Sequence, residues 1–257
     1  MSQASAGSPA PDPSSPGQAA VGAGLVSAVV NLVNTGPVLL GAYTLAELTA
    51  VDAIVDFLEA RPSDEVLAEA VRSLSARQLL VAGSDDHQVQ VRGDLGIAVA
   101  FQQRARIVLD ARATGTEPGE PWRILLLPQP EHIFLVVRID ALGIHEMGLY
   151  PSEQALDDLA AWLPRGEAAD PEAPVDANAV LASSDRSALI TITRYITQGS
   201  AETAEASNDL ILARHDGRLH VFSRDPAGTA DPAGAASLIP RPRDGKNVHD
   251  ALTDLLA

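Results

Sequence analysis

Hydrophobic residues recur along this chain at two periods. Leu45, Leu48, Val51, Ile54, Val55 and Leu58 keep the spacing of one helix face. Thr44-Leu45-Ala46-Glu47 opens that run with the spacing of a capping box, in which the Thr hydroxyl and the Glu carboxylate satisfy backbone donors reciprocally. Pro62-Ser63-Asp64-Glu65 begins a second helix with two acids at its positive end, and Leu67, Ala70, Val71 and Leu74 form its apolar face. The stretch Leu79-Leu80-Val81, a polar turn Gly83-Ser84-Asp85-Asp86, and Val89-Gln90-Val91 then read as a small hairpin. Asp94 is expected to cap a third helix that runs to about Arg104. Helix, helix, hairpin, helix is a winged-helix order.

From Arg106 the pattern is written twice. Ile107 to Arg112 matches Leu189 to Arg194, and a polar loop follows each, at 113–121 and 195–208. Two further strands align without a gap at an offset of 86 (123 to 209, 133 to 219). They are Arg123 to Leu127 with Asp209 to Ala213, and Ile133 to Arg138 with Leu219 to Arg224. The intervening turns are Pro128 to Glu131 and Arg214 to Gly217. Weaker strands follow, near His145 to Tyr150 and near Ala235 to Ile239, each ending in a proline, Pro151 and Pro240. An amphipathic helix closes each copy, with Ala155, Leu159, Trp162 and Leu163 matching Val248, Leu252, Leu255 and Leu256.

The fold class expected is therefore α+β. An antiparallel sheet is built from two ββββα halves related by a pseudo-twofold axis, with a helical N-terminal segment. Ile133, Leu135, Val137 and Ile139 alternate onto one face and are expected in the core, with Leu219 and Val221 repeating them. Phe134, Val136 and Arg138 fall on the other face, as do His220, Phe222 and Arg224 in the second copy. That mixed face is one candidate partner-binding surface, and the loop Thr197 to Asn208 is the other.

Composition sets the boundaries. Residues 1–24 are Ala, Pro, Ser and Gly with one charge, Asp12, and are expected to be a disordered tail. Residues 25–105 form the winged-helix-like segment, 106–163 the first half, 164–187 an acidic linker and 188–257 the second half, with 25–257 one compact domain. Eighteen basic against 34 acidic residues give a formal charge of −16, which opposes binding to nucleic acid or anionic lipid. The second helix and the turn at Asp85, Asp86 and His87 are too acidic to read DNA. The absence of cysteine removes disulfides and thiolate chemistry. The apolar stretch Leu25 to Leu40 is 16 residues long and is interrupted by Asn31, Asn34, Thr35, Gly36 and Pro37. It falls short of the roughly 20 residues a membrane span needs, so a cytoplasmic protein is expected.

No catalytic constellation converges. Gly22-Ala23-Gly24 follows a tail instead of a strand and lacks the remaining glycine of a dinucleotide loop. His145-Glu146 lacks the second histidine of a zinc helix motif, and Asp85-Asp86-His87 reads as a solvated hairpin tip. No nucleophile elbow occurs, and the sole lysine, Lys246, is in no phosphate loop. Asp157-Asp158 are assigned to the start of a helix, where they favour its dipole. Arg138 and Arg224 are read as strand-end residues paired with a neighbour such as Asp140 or Asp225. Trp162 is read as core and Trp122 as rim. No enzyme activity, metal or cofactor is expected.

The stretch Leu74-Ser75-Ala76-Arg77-Gln78-Leu79, the step from Val89 to Leu95, and the closing Leu238-Ile239-Pro240 with Val248 to Leu256 resemble the EspG family. Those are cytosolic chaperones of type VII secretion in actinobacteria. Gln78 departs from the Arg-Gly-Leu usual there, and residues 25–43 match nothing in the family. The resemblance spans 44–257. It implies a chaperone or adaptor, monomer or homodimer, that binds a helical secreted protein (PE/PPE-like or WXG100-like) and keeps it soluble before export. It supplies no catalytic residue. The alternative is a winged-helix transcriptional regulator with a sensing domain.

Overall fold

The computed structural model describes residues 16–51, 62–82, 89–170, 176–198, 201–224, 238–240 and 248–256. Along the chain come α1 (Pro16–Val33), β1 (Val38–Thr44), α2 (Leu45–Ala50), α3 (Asp64–Ala76), β2 (Leu80–Ala82), β3 (Val89–Val91) and α4 (Gly93–Arg104). Then follow β4 (Ile107–Thr114), β5 (Arg123–Gln129), β6 (Ile133–Ile139), β7 (Ile144–Pro151), α5 (Ser152–Trp162), β8 (Glu167–Ala168) and α6 (Ala177–Ser183). The chain closes with β9 (Arg186–Gln198), β10 (Ala201–His215), β11 (Arg218–Arg224), β12 (Leu238–Pro240) and α7 (Val248–Leu256).

Ten strands form one mixed, mostly antiparallel sheet in an α+β fold. Its order is β1-β7-β6-β5-β4-β9-β10-β11-β12, with β8 lying parallel to the start of β11. Strand β4 pairs antiparallel with β9, Asp110 opposite Thr191, at the middle of the sheet. One sheet face carries Leu125, Leu127, Ile133, Leu135 and Val137, packed with Val33 of α1, Leu48 of α2, Leu74 of α3 and Phe101 of α4. The other carries Leu109, Leu126, Phe134, Val136, Ile190 and Ile192, packed with Leu156 and Leu159 of α5 and Leu252 of α7. The central strands β5 and β6 are therefore apolar on both faces, as expected where helices cover both sides.

The local signals were accurate where short-range chemistry decides. Thr44 caps α2 in a complete capping box with Glu47, and Ser63 caps α3. The small hairpin forms as β2 and β3, apart from the main sheet. Ile54, Val55, Leu58 and the turn at Asp85, Asp86 and His87 lie outside the described residues. Asp94 is not the cap of α4. Arg92 holds that place without a side-chain bond, because the chain turns one step earlier through Gly93 at φ 60°.

Several longer-range expectations are corrected. Helix α1 begins at Pro16, so the last part of the 1–24 stretch is helical; residues 1–15 lie outside the description. Residues 38–44 become the edge strand β1, bulged between Leu39 and Gly41 and paired with β7. The stretch 164–187 is not a plain linker. It contributes β8 and α6, whose Val180 packs on Ala213 and Phe222. Residues 197 and 208 lie in strands, with Thr197 opposite Glu202 and Asn208 opposite Ile192. The expected polar loop is a hairpin arm, because Thr, Ile and Tyr at 191–197 favour extended backbone.

The ungapped alignment also fails at one point. Between Gln129 and Ile133 the chain turns through Pro130, Glu131 and His132, with His132 at φ 58°. Between His215 and Arg218 it turns through Asp216 and Gly217 alone, at φ 49° and 74°. One residue fewer reverses which face each side chain takes. Leu219 and Val221 consequently join the α5/α7 face, opposite to Ile133 and Leu135.

Candidate functional site

That reversal separates the residues expected to share a surface. Phe134 and Val136 are buried under α5. Phe222 is 1% exposed on the other face, beneath α6, with the His220 ring stacked on it at 6.2 Å. Strands β6 and β11 also stand five interstrand steps apart, roughly 24 Å at about 4.8 Å each. Arg224 closes β11 opposite Leu238. Phe134 and Val136 therefore share no surface with His220 and Phe222.

Arg138 stands one residue from the end of β6 and is ion-paired, but with Glu146 and Asp158 in place of Asp140. Its Nη1 donates to the Tyr150 hydroxyl at 2.8 Å and to Glu146 at 3.4 Å, and its Nη2 donates to Asp158 at 3.2 Å. Burial works against its charge, but Tyr150, Glu146 and Asp158 outweigh that and raise its pKa. Asp140 instead accepts from the Leu142 and Ile144 backbone N–H groups. Asp157 and Asp158 lie mid-helix in α5, not at its start, and Asp157 faces His249 of α7 at 3.0 Å. Beside Arg138, a cleft of about 280 Å³ runs between α5 and the sheet, lined by Ile124, Val136 and Trp162. The Trp162 indole donates to the Pro121 carbonyl, and Trp122, 37% exposed, donates to that of Asp140.

The larger concavity lies at the other end of the sheet. Helices α1 and α4 border a groove of about 660 Å³ with Leu25, Val26, Val30, Ile97, Ala100 and Phe101 on its walls. Helix α1 is placed by Val29 and Val33, buried in the core, while α4 is placed by Leu95, Ala98 and Phe101. Gln129 locks α4 to the sheet by donating to the Phe101 carbonyl at 3.0 Å. Arg104, its guanidinium 5.3 Å from the centre of the Phe101 ring, pairs with Glu131 of the β5–β6 turn and closes the groove's polar end. Arg104 Nη1 and Glu131 Oε2 are buried there with no hydrogen-bond partner among the described residues.

Helix α1 also exposes apolar side chains to solvent. Leu25, on the groove wall, is 48% and Leu32 55% exposed, with Ala28 exposed between them, while Ser27 and Asn31 are its exposed polar residues. This surface was missed in the sequence although its signal is plain. No Asp, Glu, Lys, Arg or His stands between Asp12 and Glu47, in a chain where one residue in five is charged. Only the shortness of Leu25 to Leu40 was weighed, as a membrane question.

Other described polar side chains hold one another in pairs and small networks. Glu47 accepts from the Thr44 N–H at 2.9 Å, the Ser73 hydroxyl at 2.8 Å and Arg77 at 3.0 Å. Burial pushes its carboxyl up, but those partners together hold it below the ordinary value. Asp110 is clamped by Arg123, Nε to Oδ1 at 2.7 Å and Nη2 to Oδ2 at 2.8 Å, and by Arg112. On α3, Arg72 pairs with Glu69, and Arg77, at its C-cap, pairs with Glu47, so neither offers a free cation to a phosphate. His145 lies in β7 with Nδ1 3.0 Å from the Gly143 carbonyl, and burial, then Arg123, lowers its pKa. Among the described residues no three His, Asp or Glu side chains converge as a metal site. Among them also, no helix is long and apolar enough to cross a membrane.

No protein-family model matches the chain, and no curated protein matches it.

Proposed function

We propose that this protein is a cytosolic chaperone or adaptor that receives an α-helix of a type VII secretion substrate, PE/PPE-like or WXG100-like, and keeps it soluble before export. The class comes from the EspG resemblance of the sequence. The observation that carries it is the apolar groove between α1 and α4. A helix laid into an apolar groove is a recurrent recognition mode, with anchors at i, i+3, i+4 and i+7. The groove's walls are aliphatic and aromatic, and the paired Arg104 and Glu131 at its end give a helix terminus polar contacts without net charge.

The same reading includes two ββββα halves related by a pseudo-twofold axis through the β4–β9 pair. The order β7-β6-β5-β4-β9-β10-β11-β12 supports it, since it reads alike from both ends outward. So does the packing of α5 and α7 in one cluster on one face. The shortened β10–β11 turn is then a local departure inside the second copy.

Co-expression with the small helical type VII substrates of the same genome tests the function. Affinity capture followed by size exclusion is expected to give a stoichiometric complex. Failure of every such substrate to co-elute, with the protein folded, would remove the chaperone reading.

A further inference from the structure

We propose that the cleft between α5 and the sheet binds a free α-amino acid with an apolar side chain. Arg138 takes its carboxylate, Asp158 its ammonium, and the cleft walls its side chain. The cleft lies on the α5/α7 face of the sheet, opposite to the groove of α1 and α4, and its ligand is independent of any secretion substrate.

The polar groups of the cleft select a zwitterion. Arg138 and Asp158 stand side by side on its lining, Nη2 3.2 Å from Oδ2, with side chains 27% and 44% exposed. A guanidinium has five N–H donors, and Arg138 spends three on Tyr150, Glu146 and Asp158. Its Nε–H and one Nη2–H meet no acceptor among the described residues, which leaves two donors for a carboxylate. Asp158 bonds Arg138 through Oδ2, and its Oδ1 meets no donor among the described residues. Glu146 and Asp158 together outnumber the one guanidinium, so a purely anionic ligand is repelled. A zwitterion brings a cation for the carboxylates together with its anion.

Beside this pair the cleft is apolar. Ile124, Leu126 and Val136 line it from the sheet, and Leu159 and Trp162 from α5. Its volume is about 280 Å³, just under the roughly 300–1,000 Å³ of sites for drug-sized ligands, which suits a small molecule with a leucine- or phenylalanine-sized side chain. The frame is preorganised, which lowers the cost of binding. The Tyr150 ring centre lies 5.0 Å from the Arg138 guanidinium, and the Tyr150 hydroxyl accepts from Nη1 at 2.8 Å, so one side chain holds that cation twice. The Trp162 indole is tied to the Pro121 carbonyl at 3.1 Å.

Isothermal titration calorimetry of the full-length chain is expected to show saturable binding of leucine or phenylalanine, with a Kd of about 1 mM or tighter. Leucinamide lacks the carboxylate and N-acetyl-leucine lacks the ammonium. Each is expected to bind about tenfold more weakly, or worse. Arg138→Gln and Asp158→Asn, with circular dichroism spectra matching wild type, should each weaken binding of the amino acid by about the same factor. Ala161→Trp, at an exposed position on the cleft's lining, should block entry while leaving the ion pair and the core in place. Folded wild type that binds neither amino acid would overturn the proposal. So would leucinamide or N-acetyl-leucine binding as tightly as leucine, or amino-acid binding unchanged in any of the three folded variants.

Discussion

Glu47 shows how a single side chain joins three elements. It closes the α2 capping box and takes bonds from Ser73 and Arg77 of the α3 helix and its C-cap. Glu47→Gln should cost about 1–3 kcal/mol in urea unfolding, because buried donors lose a charged acceptor. Its folded pKa is depressed, so its contribution is complete above the unfolded carboxylate range and is lost as pH falls through the folded value. The wild type and Glu47→Gln should therefore converge in stability under acid. His145, whose pKa is also lowered in the fold, contributes with the same sign nearer neutrality. Its contribution is present above the unfolded histidine pKa and fades as pH falls through the folded one. Asp110→Asn should cost about 3–5 kcal/mol by leaving Arg123 buried without its carboxylate. The capping box was legible from Thr44 and Glu47 alone, because its partners are three residues apart. The bonds from Ser73 and Arg77 were not, since nothing in their spacing points to position 47.

Elements were readable as elements, and their faces were not. The strands β4, β5, β6 and β11 stand close to where alternation put them, while β10 starts at Ala201, inside the expected loop. Yet the face of β11 depends on the length of one turn, and Asp216-Gly217 is one residue shorter than its counterpart. Hence Phe134 and Phe222 are both buried in the core, on opposite faces. Phe134→Ala and Phe222→Ala should each lower stability by about 3–5 kcal/mol in thermal or denaturant unfolding. The acidic composition of 164–187 hid β8 and α6, whose anchoring rests on few apolar residues, chiefly Val180. The junction of the copies is tight as well. Gly115, at φ 68°, approaches the Asp185 carbonyl so closely that an added Cβ would lie 2.1 Å from it. Gly115→Ala should destabilise by more than the ~1 kcal/mol of an ordinary strained alanine, because backbone must move on both sides.

At the scale of the whole molecule, the charge pattern decides which surface is free to bind. The formal −16 is carried outside the run that builds α1 and β1, and that run borders the apolar groove against α4. The net charge carries the expectation of no nucleic-acid partner, and in the fold Arg72 pairs with Glu69 and Arg77 with Glu47. The position of the groove was hidden because α1 and α4 lie far apart in sequence and come together only on one face of the folded sheet. The central claim is that this groove seats a partner helix. Ala100 lines it without belonging to the buried core, so Ala100→Arg fills the groove and should leave the fold intact. The direct measurement is co-elution of a helical type VII substrate with wild type and with Ala100→Arg, melting temperatures being matched. A complex with wild type that is lost with Ala100→Arg is the predicted result. A complex that forms equally well with both would place the partner elsewhere and contradict the claim.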